Sequence, residues 1–138
     1  MVGLHEIFGY GVVGLFTIGW VWGLGARLAR RGPGDRYWLW LTATQLALGA
    51  QAVLGILLFV TGHRVRAGSD LSNLLHYVYG ALPFVLLVVA HLIAREGNAS
   101  MIGFPAQKKI EPWVPFAWVA FISFGLTLRA LMTGLGTG

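Results

Sequence analysis

Two short phrases carry the residue types most able to do chemistry. Residues 5–9 read "HEIFG" and residues 76–80 read "HYVYG", both fitting His-x-[IV]-[FY]-Gly. Each histidine is followed four residues later by a glycine, Gly9 or Gly80, which a helix places on the same face. A neutral imidazole nitrogen is a good axial ligand for haem iron. A glycine one turn away leaves room for a flat ring beside the backbone. Two such units on opposed helices describe a slot for one bis-histidine haem, with His5 and His76 as the iron ligands. The plainer reading remains open at this level, because small residues four apart are common where membrane helices pack.

Positioning the two histidines requires long helices, and the composition supplies them. The 138-residue chain is 57% hydrophobic and only 11% charged, against about 25% charged in soluble domains. Four stretches reach the roughly 20 apolar residues needed to cross a bilayer. They run about 4–26, 37–61, 71–94 and 112–133. The fold class expected is an all-α integral membrane protein, one domain over 1–138, built as an up-down-up-down bundle of four spans. The connections are short and carry breakers or caps. Gly32-Pro33-Gly34 separates spans one and two, and Ser69, Asp70 and Ser72 can cap span three. Pro112 suits the first turn of span four, where its missing N–H costs nothing. The start of the chain lacks the basic region of a cleavable signal, so span one is expected to stay in the membrane.

Orientation follows from Lys and Arg. Arg27, Arg30, Arg31, Arg36, Arg95, Lys108 and Lys109 fall on one side, and Arg64, Arg66 and Arg129 on the other. The richer side is expected to be cytoplasmic, with both termini outside, in a prokaryotic cell membrane. Trp22, Trp38, Trp40 and Trp113 lie near that inner boundary, as an aromatic belt would. The net charge of +5 is thus spent on topology, and no nucleic-acid partner is implied. No cysteine is present, which excludes disulfides, thiolate metal sites and thioether-attached haem.

In such a bundle spans one and three run parallel, and His5 and His76 share one depth near the outer face. Arg64, Arg66 and Arg129 are the basic residues on that side, and so the candidate partners for haem propionates; Arg129 could equally snorkel to the headgroups. His63, at the outer end of span two, and His91 are second-rank ligands. His91 lies about 22 Å beyond His76 along the helix. Its counterpart in span one is Trp20, so a second haem lacks a ligand and one haem b per chain is expected. His91 is left to bind a quinone, another polar group or a partner subunit.

The stretch "QLALGAQAVLGILLFVTGHRVRAGSDLSNLLHYVYGALPFVLLVVAHL" resembles a helix pair of the haem A synthase family, in which a Leu-His opens the second helix. "LHEIFGYGVVGL" is similar to that family's earlier histidine helix. The resemblance covers about residues 4–94 and implies that His5 and His76 are the axial pair of a b-type haem near the outer face. That family has two such halves and this chain has one. The acidic residues before the family's first histidine have no counterpart, since Glu6 follows His5. Haem ligation is carried over, and the oxygenase activity is not. Membrane b-type cytochromes in general fit equally well.

The function expected is that of a haem b-binding membrane protein, in electron transfer or as a subunit of a respiratory or haem-handling complex. It is an electron-transfer component more than a stand-alone enzyme, and needs a membrane redox partner. The rivals are a haem-free anchor subunit and a small transporter, for which Thr42, Gln45 and Gln51 in span two would line a path.

Overall fold

The computed structural model describes residues 2–63, 69–98, 100, 103 and 109–135. Four helices account for nearly all of them: α1 Val2–Leu28, α2 Asp35–Val60, α3 Asp70–Glu96 and α4 Trp113–Gly134. Each is long and apolar enough to cross a membrane, and no strand occurs among the described residues. The bounds lie within two residues of those expected from hydropathy. Arg64, Arg66 and Lys108 fall outside the described residues.

Lipid is the solvent that fits this surface. Ile7, Leu39, Leu46 and Val60 are 67–75% exposed, and large apolar side chains project from every helix. A helix that is apolar all round is stable when hydrocarbon surrounds it.

The helices end by satisfying their own backbone groups, as a bilayer requires. Ser69 caps α3, its hydroxyl accepting from Ser72 N–H at 3.1 Å. At the far end of α3, Gly97 takes φ 68° and donates to Ile93 O at 2.9 Å. α2 closes on Gly62, φ 81°, with Gly62 N–H on Phe59 O and His63 N–H on Leu58 O. α1 closes with the same pair of bonds, Arg30 N–H on Arg27 O and Arg31 N–H on Ala26 O. The left-handed position there is held by Arg30 at φ 52°, the one non-glycine with positive φ among the described residues. A side chain in that conformation costs about 1–2 kcal/mol.

Packing follows seams of alternating four- and three-residue steps. In α1 the buried positions are Val12, Phe16, Gly19, Gly23 and Ala26, and stepping back along the same seam reaches Gly9 and His5. In α2 the seam runs Tyr37, Leu41, Thr44, Leu48 and continues through Gln51 and Gly55 to Leu58. In α4 it runs Trp113, Phe116, Ala120, Ser123, Thr127 and Ala130, and on to Gly134. Such spacing packs helices as coiled-coil seams do.

The small seam residues bring backbones close. A Cβ at Gly23 would lie 2.5 Å from Ala117 Cβ, so α1 and α4 touch there. The Trp40 indole lies over Gly19, and its Nε1 donates to Leu15 O at 3.1 Å. α4 packs against both α1 and α3, and α1 also against α2. α2 and α3, though consecutive, meet mainly through long side chains such as Phe59 on Tyr77 and Gln45 on His91.

The tryptophans near the expected inner boundary turn inward more than outward. Trp40 and Trp113 are buried, Trp22 is half-buried and Trp38 is exposed. Trp22, Trp38 and Trp40 all pack on Tyr37, which is fully buried. α3 runs through Pro83, which has no N–H to offer the Tyr79 carbonyl one turn back.

Candidate functional site

The structure brings His5 and His76 together. Their ring centroids are 6.2 Å apart with an interplanar angle of 59°. His5 stands in the first two turns of α1, and His76 in the second turn of α3. Both are half-buried.

The two imidazoles are held differently. His76 Nδ1 lies 2.9 Å from Ala130 O in α4. A carbonyl only accepts, so Nδ1 carries the proton and Nε2 is the bare nitrogen. His5 has the Gln51 amide of α2 against its Nε2 at 3.5 Å. Its Nδ1 and the Gln51 Oε1 are both buried with no hydrogen-bond partner. Buried polar atoms are nearly always paired, and these two are exceptions among the described residues.

Gly55 and Gly134 clear space for the two imidazole rings. A Cβ on Gly55 would meet His5 Cε1 at 3.3 Å, and one on Gly134 would meet His76 Cε1 at 3.1 Å. Gly9 instead faces Leu131 and Gln51, and a Cβ on Gly80 would meet nothing within 4 Å. Gly55, Gly134, Gln51 and the Ala130 carbonyl are thus the supporting groups that the histidine phrases do not reveal. The signal for three of them was the seam spacing of α2 and α4.

The remaining described candidates have other partners or face outward. His63 is exposed in the turn after α2, its Nδ1 3.2 Å from Thr61 Oγ1. His91 donates from Nδ1 to Leu87 O at 2.8 Å, has Gln45 Nε2 3.5 Å from its Nε2, and meets Phe116 edge to face. Trp20 packs on Phe121 and Phe124. Arg129 is exposed on α4, and Arg64 and Arg66 lie outside the described residues.

The donor set narrows what the site can hold. Among the described residues no three His, Asp or Glu side chains converge as a metal-binding group. A metal ion held by protein alone takes three or four such ligands. A pair of imidazoles suits an iron whose other four ligands come from a porphyrin. A metal–nitrogen bond is about 2.0–2.1 Å, so two bonds plus the half-width of each ring span about 6 Å, the separation of His5 and His76. Compared with protein-family models, curated proteins and solved structures, the chain matches none.

Proposed function

We propose that this chain is a membrane b-type cytochrome that holds one haem between His5 and His76, and that it serves in electron transfer or as the haem-bearing subunit of a larger complex. The observation that carries the reading is the 6.2 Å pairing of the two rings, with His76 turned by the Ala130 carbonyl so that Nε2 is free. The resemblance of "LHEIFGYGVVGL" and "LSNLLHYVYG" to haem A synthase helices points the same way. In this reading the four helices alternate in direction, with both termini and the histidines on the outer side. Two facts support that arrangement. The starts of α1 and α3 meet the ends of α2 and α4 at Gly55, Ala130 and Gly134. Arg27, Arg30, Arg31 and Arg36 gather at the opposite end of α1 and α2.

A haem held there supplies a one-electron iron couple. The protein's part is to fix its ligands and surround them with apolar side chains. The Ala130 carbonyl sets the ring orientation of His76 and raises its basicity as a ligand. Gln51 does the positioning for His5. One site at one depth spans only part of the bilayer, so a quinone or partner cytochrome completes the electron path.

The test is an absorption spectrum of protein purified from a haem-replete host, before and after dithionite. A Soret band and reduced α and β bands are expected, and His5→Ala and His76→Ala should each abolish the low-spin form. A protein without a Soret band refutes the reading, and low-spin spectra in both variants refute the ligand assignment.

A further inference from the structure

The opposite end of the helices carries a cleft that the haem reading does not use. It has a volume of about 410 Å³ and lies between the end of α1 and the start of α4. Arg27, Arg30, Arg31, Glu111, Trp113 and Val114 form its walls. Three arginines and one glutamate thus line it. Among the described residues none of the three arginines is engaged in an ion pair, with Glu111 or any other acid.

The local backbone argues that these charges are there for a ligand. α2 and α3 end on Gly62 and Gly97, whereas α1 puts Arg30 in the equivalent left-handed position. Glycine is the natural occupant. An arginine there gives up backbone comfort and places a guanidinium at the cleft. On the facing wall, Trp113 is buried. Trp113 is the first residue of α4, whose N-cap Pro112 offers no side-chain cap. The positive end of a 22-residue helix therefore adds to the field of the arginines.

We infer that this cleft binds a phosphate-bearing anion. Arginine forks suit phosphate oxygens, and the volume is that of a small-ligand site. The anion comes either from the bilayer, as the headgroup of an anionic phospholipid, or from solution, as free phosphate. Basic clefts at the cytoplasmic ends of membrane helices hold lipid headgroups in this way.

Native mass spectrometry and thermal unfolding of the whole protein distinguish the sources. In nanodiscs mixing phosphatidylglycerol with phosphatidylcholine, the wild type should retain phosphatidylglycerol under activation that strips phosphatidylcholine. Arg30→Gly should weaken that retention about fivefold, the worth of one arginine at a membrane surface. The double variant Arg27→Gln, Arg31→Gln should weaken it further. Arg36→Gln, an exposed α2 residue outside the cleft, should leave it unchanged. In pure phosphatidylcholine Arg30→Gly should unfold no earlier than wild type, because glycine suits that backbone; an arginine serving only the fold would fail this readout. If inorganic phosphate raises the unfolding temperature of wild type in phosphatidylcholine, and the double variant does not respond, the anion is drawn from solution. Equal retention in wild type and all variants, with no response to phosphate, overturns the inference. So does a loss as large in Arg36→Gln as in the cleft variants, which would show diffuse surface charge.

Discussion

Replacing Gly19 by Ala tests how α1 and α2 are locked. A Cβ at residue 19 would overlap the benzo ring of Trp40. That ring is 8% exposed, stacks on Tyr37 at 4.9 Å, and is tethered by Nε1 to the Leu15 carbonyl. It has no free direction, so the indole must slide and lose its hydrogen bond. Leaving the N–H buried costs about 1–3 kcal/mol, and overpacking a similar amount. The better helix propensity of Ala returns about 1 kcal/mol. The net expectation is a loss of about 1–5 kcal/mol. With Trp40→Phe, the ring atoms nearest Gly19 are gone, and Gly19→Ala should then stabilise by up to about 1 kcal/mol. A double-mutant cycle, read by far-UV circular dichroism during unfolding in mixed SDS micelles, should give a coupling of about 3 kcal/mol. Equal effects of Gly19→Ala in both backgrounds would show that the indole does not sit where the reasoning needs it.

Tyr37 has a fully buried hydroxyl with no partner, so Tyr37→Phe should stabilise by about 1 kcal/mol; a clear loss in the same unfolding assay would mean that the hydroxyl is bonded. Ser69→Ala removes the cap of α3 and should cost about 1 kcal/mol, seen as faster amide exchange in the first turn, with Ser69→Asp restoring protection. Gly134→Ala should press on His76 and weaken haem binding about tenfold, as disturbed ligand supports do, while Gly80→Ala, facing open space, should leave it unchanged. Titration of haem into the apoprotein decides between them, and equal affinities would remove Gly134 from the site.

The spans were legible because nothing but a bilayer accommodates four apolar runs of such length, and the start of the third was marked by Ser69. The meeting of His5 and His76 was legible because each stands near the start of its span, and short connections favour neighbouring spans that alternate. The partners of those histidines were harder to read. His76 bonds a backbone carbonyl, at Ala130, which has no residue-type signature. Gly55 and Gly134 act by lacking a side chain, and twenty glycines share that property. Only the seam register separates them from the rest. Trp22, Trp40 and Trp113 misled for a related reason. A tryptophan at a helix end satisfies hydropathy equally well facing headgroups or packed on Tyr37, and the choice belongs to the neighbouring helix.

The sparse contact between α2 and α3 bears on how the molecule is made. Most consecutive membrane helices pair as hairpins while entering the bilayer, but α3 finds its main partner in α4. Until α4 has followed it, His76 has neither the Ala130 carbonyl to orient it nor a neighbour to hold it near His5. A nascent chain paused after Glu96 would carry both histidines in the same membrane with no fixed distance between them. The setting of the His5–His76 pair is thus completed only when α4 has joined α3.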